Sequence, residues 1–150
     1  MLEFSLLILL PLLSAAACRL AGSVRVQHLV SLAAAASHLT VSFLIFINAH
    51  QTTLPFLFST DALSRLFLLI LSNVYFWVVL VSYSFLKGSA TGQKGFGKKY
   101  YFALLNFYLF ANTAAILSNH FGMYWVAAEA TTLSVAPLVY YYRTEESLEA

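Results

Sequence analysis

The chain has 150 residues, of which 61% are apolar and only 9% are charged. This composition is typical of an integral membrane protein, and segments of membrane-spanning length use almost all the apolar residues, so no soluble catalytic domain is expected beside them. The net charge of +2 is too small to indicate a nucleic-acid partner, and the single cysteine, Cys18, excludes an internal disulfide framework.

Five apolar segments follow one another along the chain, each close to the ~20 residues that a helix needs to cross ~30 Å of hydrocarbon. Strands are not expected, because the runs are continuously apolar and a small open sheet would leave backbone groups unpaired in lipid. The sequence therefore predicts an all-α fold, a polytopic transmembrane helical bundle of about five transmembrane helices. One membrane domain would cover residues 1–150, with helices at approximately 2–18, 28–49, 62–86, 100–118 and 121–142.

The first segment shares features with a secretory signal, because "LLILLPLLSAAAC" is short, apolar and ends in small residues and a cysteine. Residues 1–5 contain Glu3 and no basic side chain, whereas a secretory signal begins with positive charge. We therefore expect a retained first helix rather than a cleaved leader.

The basic residues lie between alternate segments. Arg19 and Arg25 lie between the first two segments, and the loop 87–99 between the third and fourth contains Lys87, Lys94, Lys98 and Lys99. The loop after the second segment and the turn after the fourth contain no lysine or arginine. The positive-inside rule then predicts an N-terminus outside and a C-terminus in the cytoplasm, with a basic cytoplasmic loop.

Glu129 lies near the middle of the fifth segment. An acid at mid-helix costs roughly 2.5–3.5 kcal/mol, so such residues usually face a protein interior or water and have a function. Thr132, nearly one turn later, is placed to hydrogen-bond the carboxyl group. The alternative is a protonated glutamate that only bonds a neighbouring helix. We favour a functional, protonatable site.

Other polar residues within the segments give weaker signals. His38 shares a helix face with Ser31 and Ser42, and it is either a proton relay or a neutral histidine bonded to a serine or a backbone carbonyl. Asp61 opens the third segment, where an acid suits a helix N-terminus, so capping and a functional role are both open. Arg65 is placed to pair with Asp61 at the i,i+4 spacing.

Three further polar residues predict contacts between helices. Asn106 and Thr113 share a face of the fourth segment, and Asn73 lies in the third, which favours interhelical hydrogen bonding. The chain contains no nucleophile beside a base and no dinucleotide fingerprint, and its other histidines are scattered. We therefore expect no catalytic residue, no metal site and no cofactor on this chain.

Two stretches resemble a known family. They are "FSTDALSRLFLLILS", before the basic loop, and "LSNHFGMYWVAAEATTLSVAPLVYYYRTEESLEA" after it. Together they are similar to the N-terminal part of the antiporter-like membrane subunits shared by respiratory complex I, Mrp cation/proton antiporters and group-four membrane-bound hydrogenases. The second stretch is most similar to the large antiporter-like subunit of the formate hydrogenlyase and hydrogenase branch.

The resemblance implies roles for two acids. In that family the glutamate of the fifth helix, which matches Glu129, pairs with a lysine on a later broken helix and takes part in proton translocation. The acid that opens the third helix matches Asp61. Family members contain about fourteen helices, including two inverted repeats of five. Every lysine here lies in a loop or at a membrane edge, so we expect a split subunit, a truncated product or a fragment, with another chain supplying the later helices and the lysine.

The function implied by the resemblance is that of a membrane-arm subunit in a proton- or sodium-translocating oxidoreductase complex related to NADH-quinone oxidoreductase and membrane-bound hydrogenase. Its location would be the cytoplasmic membrane of a bacterium or archaeon, with other membrane subunits as partners and electron transport in those subunits. Two alternatives stay open. One is a structural or assembly subunit in which Glu129 only holds helices together, and the other is an Mrp-type cation/proton antiporter or bicarbonate-uptake module.

Overall fold

The computed structural model describes residues 2–48, 53–54, 57–88 and 98–139. Five helices lie within these residues. In chain order the elements are α1 (Leu2–Leu20), α2 (Val24–Asn48), β1 (Thr53–Leu54), β2 (Phe58–Ser59), α3 (Ala62–Gly88), α4 (Lys98–Leu117) and α5 (Phe121–Val139). The predicted all-α helical bundle is therefore confirmed.

The helices correspond closely to the apolar segments of the sequence. Predicted and observed helix ends differ most at α2, which begins at Val24 where the sequence predicts residue 28. Most of the basic loop, with Lys94, and the last eleven residues, with the "RTEESLEA" ending, lie outside the described residues. The assignment of one membrane domain and the orientation of the termini stay predictions.

The loop between α2 and α3 contains a short β pairing, which lies outside the apolar segments where strands were not expected. Strands β1 and β2 are antiparallel, with Thr53 opposite Ser59 and Leu54 opposite Phe58. The pairing gives backbone groups outside the helices hydrogen-bond partners.

Three of the described helices are long and apolar enough to cross a membrane by length and composition: Val24–Asn48, Ala62–Lys87 and Tyr100–Leu117. The first helix contributes a shorter apolar stretch, Ser5–Leu20. Large apolar side chains are exposed along the helices, for example Leu13, Phe67 and Val81. In water such surfaces would be unfavourable, whereas in lipid they are the expected outer face of a bundle, so the chain is a membrane protein.

The packing is organised around α4, which contacts α1 and α5 extensively, while α2 packs between α1 and α3. Two apolar clusters fill the interior. The larger includes Tyr75, Phe102 and Leu109, and the smaller consists of Leu7, Ile45, Leu68 and Leu117. Buried polar side chains are interspersed with these clusters.

Candidate proton-handling site

His38 lies at the centre of a buried polar cluster that joins three helices. Its side chain is only 2% exposed. Nδ1 lies 2.8 Å from the hydroxyl oxygen of Ser72 on α3, and Nε2 lies 3.1 Å from that of Thr113 on α4. All three side chains are buried, so the cluster connects α2 to α3 and to α4 through hydrogen bonds shielded from water.

The two hydroxyls determine how the His38 ring can be satisfied. Ser72 Oγ lies 2.6 Å from the carbonyl oxygen of Leu68, and Thr113 Oγ1 lies 2.8 Å from that of Leu109. Each hydroxyl has one hydrogen, so a hydroxyl that donates to its carbonyl can only accept from the ring. A neutral imidazole donates through one nitrogen, and the other hydroxyl then turns its hydrogen toward the ring. A neutral histidine therefore has a partner at both nitrogens.

The serine partner of His38 is Ser72 on α3, a residue that the sequence did not single out. Ser42, on the same face of α2, is connected to His38 only through Ser72, since the Ser42 hydroxyl lies 2.8 Å from the Ser72 hydroxyl. Ser31 belongs to a different cluster. The expected histidine–serine bond exists, but it connects two helices and does not run along α2.

Asn106 is the centre of a second buried polar cluster. Its side chain is fully buried, and its Oδ1 accepts a hydrogen bond of 2.8 Å from Ser14 on α1. Its Nδ2 donates to Ser31 on α2 at 2.6 Å, and Cys18 Sγ lies 3.4 Å from the same serine hydroxyl. The hydrogen bonding between helices that the sequence predicts for Asn106 and Thr113 is therefore present.

Asn73 differs from these two residues. Its side chain is exposed on α3, and the structure shows no hydrogen bond between it and another described residue. The predicted interhelical bond is therefore absent among the described helices, because Asn73 lies on the outer face of the bundle. Ser72, its neighbour in the chain, points inward and makes the contact with α2.

Three buried polar atoms have no hydrogen-bond partner in the described part of the chain: Gln27 Oε1, His28 Nε2 and the Tyr75 hydroxyl. Buried polar atoms in native proteins usually have a partner, so each of these is a place where water or another group is expected. Sequence reasoning had not singled out any of the three, because their burial depends on how the helices pack.

Glu129 lies near the middle of α5 on a face that no other described helix covers. The side chain is exposed, and so are Trp125, one turn before it, and Leu133, one turn after it, at 60% and 71%. The opposite face, with Ala127 and Ser134, is buried. Since α5 packs chiefly on α4, the Glu129 carboxyl faces away from the His38 and Asn106 clusters toward whatever surrounds the bundle.

Thr132 does not make the predicted hydrogen bond to the Glu129 carboxyl group. Its hydroxyl donates to the backbone carbonyl oxygen of Glu129 at 2.8 Å. A threonine within a helix commonly satisfies its hydroxyl in this way, through a carbonyl of the preceding turn. The carboxyl group therefore has no side-chain partner among the residues that the structure describes.

Asp61 caps the N-terminus of α3. Its Oδ1 accepts a hydrogen bond of 2.7 Å from the Ser64 amide, and the Ser64 hydroxyl accepts one of 2.8 Å from the Asp61 amide. This reciprocal pairing is a capping box. The bonds from Ser64, first from its amide and then from its hydroxyl, hold the pKa of the Asp61 carboxyl below its ordinary value of 3.8.

The predicted pairing of Arg65 with Asp61 has a different geometry from that expected. Arg65 Nε donates to the backbone carbonyl oxygen of Asp61 at 3.2 Å. The positive charge of Arg65 makes only the smallest contribution to the low pKa of Asp61. The interactions of Asp61 in the structure are therefore those of a helix cap. Asp61 lies at the start of α3, eleven positions before Ser72.

Comparison with known proteins gives one informative similarity. No protein-family model matches the chain. A stretch of 52 residues, 35% of the chain, is 42% identical to a hydrogenase-4 component F homolog of Methylacidiphilum infernorum. The stretch spans 11% of that protein. The similarity, together with the apolar helices, supports the resemblance at the level of the complex I-like membrane subunits as a superfamily, and no more narrowly.

Proposed function

We propose that the chain is an antiporter-like subunit, or part of one, in the membrane arm of a proton- or sodium-translocating oxidoreductase complex, with Glu129 as its protonatable group. The observation that carries this proposal is the position of Glu129, a carboxyl near the middle of the apolar helix α5, on a face that no other described helix covers. The similarity to a hydrogenase-4 component F homolog supports the class of complex. Redox chemistry would take place in other subunits.

The uncovered carboxyl requires a partner. A charged acid facing lipid at the helix centre costs roughly 2.5–3.5 kcal/mol, which favours a neighbour that brings either an opposite charge or water. We infer that this neighbour is a further helix bearing a lysine, which packs on the face formed by Trp125, Glu129 and Leu133. Approach of the lysine would favour the ionised carboxylate, and its withdrawal would favour proton uptake. Such alternation couples the position of one charge to the binding of a proton.

The other predicted site residues receive structural roles in this proposal. His38 would hold α2, α3 and α4 together, since a neutral ring is satisfied on both sides by hydroxyls. Asp61 would cap α3. Thr132 would contribute only to its own helix. Among the residues that the structure describes, Glu129 is then the one whose protonation would be coupled to transport.

The test is the replacement Glu129→Gln in the purified complex, reconstituted in vesicles with an internal or external pH dye. Glutamine keeps the shape and hydrogen-bonding capacity of the side chain but cannot ionise, so we expect ion translocation to be abolished while the subunits still co-purify. Asp61→Asn is the matched control, because it makes the same chemical change at a residue whose capping role asparagine can fill. Unchanged pumping by the Glu129→Gln complex would rule out the proposal.

An assembly role for Glu129 is the second candidate, and the exposed apolar side chains around the acid favour it as well. If Glu129 only bonds a neighbouring helix, Glu129→Gln would be mild, because an amide can form the same bond. Glu129→Leu would then weaken complex formation, measured as the fraction of the chain that co-purifies with its partners. The two candidates are separated by the translocation per assembled complex of Glu129→Gln, which a protonatable role predicts to be abolished and an assembly role predicts to be retained.

A further inference from the structure

A small pocket lies at the end of the bundle where α2 begins and α3 ends. Its volume is about 290 Å³, and it is lined by Ser23, Val24, Arg25, Tyr83, Leu86 and Lys87. We refer to it as the basic pocket. Its two cationic side chains come from different helices, so the packing of α2 against α3 brings them to one opening.

The charges at the basic pocket are not neutralised within the described chain. Arg25 and Lys87 are exposed, and neither forms an ion pair or a hydrogen bond with another described residue. The first turn of α2 contains no acid. The partial positive charge and the free amides of a helix N-terminus add to the charge of Arg25, whereas Lys87 lies favourably in the last turn of α3.

The described carboxylates lie elsewhere in the bundle. Asp61 lies at the opposite end of α3, and Glu129 lies midway along α5. The nearby cation Arg19 is already engaged, with its guanidinium carbon 4.7 Å from the centre of the Tyr100 ring. The basic pocket therefore combines two converging cations with a positive helix end and lacks an anion from the described residues.

The lengths of α2 and α3 favour a position of the basic pocket at the level of lipid phosphates. Helix α2 has 25 residues and α3 has 27, so they extend for roughly 37 and 40 Å, more than the ~30 Å hydrocarbon core. Helices of this length that cross a bilayer extend into the headgroup layer. The pocket also has apolar lining from Val24 and Leu86, against which the first carbons of an acyl chain can pack.

A further polar atom lies behind the pocket wall. The ring of His28 contacts the ring of Tyr83 at 4.9 Å between centroids, and His28 Nε2 is buried without a hydrogen-bond partner. His28 follows Arg25 by three residues on the same side of α2. The lining tyrosine is therefore backed by a polar atom for which water or another group is expected as a partner.

We propose that the basic pocket binds the phosphate group of an anionic phospholipid, through Arg25 and Lys87 and at the N-terminus of α2. Basic pockets between membrane helices recognise lipid headgroups by this chemistry. Arginine contributes a planar donor pair that suits a phosphate, and lysine contributes a mobile point charge. The bound lipid would connect the first turn of α2 to the last turn of α3.

The experiment measures lipid binding to the full chain purified in a neutral detergent, by native mass spectrometry. Phosphatidylglycerol, phosphatidylcholine and inorganic phosphate are titrated separately. We expect phosphatidylglycerol to bind in preference to phosphatidylcholine. The double variant Arg25→Gln/Lys87→Gln should bind phosphatidylglycerol about 30-fold more weakly, since each basic residue near an anionic surface contributes about 1 kcal/mol and about 1.4 kcal/mol is a tenfold change in affinity. Added salt should weaken the binding.

Two variants serve as controls. Arg65→Gln removes one positive charge at the opposite end of α3 and should bind phosphatidylglycerol as the original chain does. Arg25→Lys keeps the charge and should retain most of the affinity, which separates loss of charge from loss of folding. Equal affinity for the two lipids, or an equal loss in Arg65→Gln, would overturn the proposal. Displacement of the lipid by inorganic phosphate at equal concentration would overturn the assignment to a lipid.

Discussion

The α2–α4 core and the outer face of α5 present polar groups of apolar helices in opposite ways. In the core, His38 and Asn106 are buried, and their hydrogen bonds end on hydroxyls of neighbouring helices. On α5, the Glu129 carboxyl lies on an exposed face between apolar side chains. A polar group satisfied within the chain stabilises the bundle, whereas one left on the surface is available to a partner.

This difference predicts that substitutions in the core change stability, while substitutions of the α5 face change association and transport. The contrast is sharp because both kinds of residue lie within apolar helices. They differ in whether the structure provides a hydrogen-bond partner within the described chain.

The largest effect on stability is expected for Asn106→Leu. The substitution removes the group that joins α1 and α2 to α4 and leaves Ser14 and Ser31 with fewer partners, so the free energy of unfolding should fall by about 2 kcal/mol. Equilibrium unfolding in mixed detergent micelles, followed by circular dichroism, measures the change. Asn112→Leu is the matched control on the same helix, because the Asn112 amide bonds only a carbonyl of its own helix. Equal losses in the two variants would contradict a special role for the cluster.

A smaller loss is expected for Thr113→Val. Valine has the same shape but cannot bond the Nε2 of His38, so one contact between α2 and α4 disappears at a cost of about 1–1.5 kcal/mol. The same unfolding measurement applies. Thr131→Val is the control, since the Thr131 hydroxyl bonds only the carbonyl of Ala128 in its own helix. If the control loses as much stability as Thr113→Val, the hydrogen bond between helices makes no net contribution to the free energy of unfolding.

The cap of α3 should have a smaller and local effect. Asp61→Ala removes the bond to the Ser64 amide and should destabilise the first turn by about 0.5–1 kcal/mol, measured as faster amide hydrogen exchange there. The folded pKa of Asp61 is lowered, so its contribution is present in full above 3.8 and is lost as the pH falls through the folded value. Asp61→Asn should retain the cap and remove this pH dependence. An unchanged pH dependence in Asp61→Asn would assign it to another group.

The helices were predictable from sequence, because a run of about 20 apolar residues has few alternatives in lipid. The site was predictable only in part. Asn106, Thr113 and His38 stand out as polar residues in apolar runs, but their partners Ser14, Ser31 and Ser72 do not, since serine is common in such helices. Which serine contacts which residue depends on the rotation of each helix and on packing between residues as far apart in the chain as 92 positions.

Two local errors have the same origin. Helical spacing correctly places Thr132 near Glu129, but the Thr132 hydroxyl donates to the backbone carbonyl oxygen of Glu129, which is close in any helix, and not to the carboxyl group. Arg65 likewise donates to the backbone carbonyl oxygen of Asp61 and not to its carboxylate, which accepts a hydrogen bond from the Ser64 amide. Spacing predicts proximity, and competition among nearby acceptors decides the bond.

The smallest effect on the stability of the chain is expected for Glu129→Leu. The side chain is exposed both in the bundle and on a separated helix, so the free energy of unfolding should change by less than about 0.5 kcal/mol. The same variant should lose ion translocation completely in the assembled complex, because it has no ionisable group. A residue whose removal leaves its own chain intact but stops the complex acts through a partner. If Glu129→Leu instead destabilised the chain as strongly as Asn106→Leu does, the carboxyl would belong to the core, and the contrast between the two regions would fail.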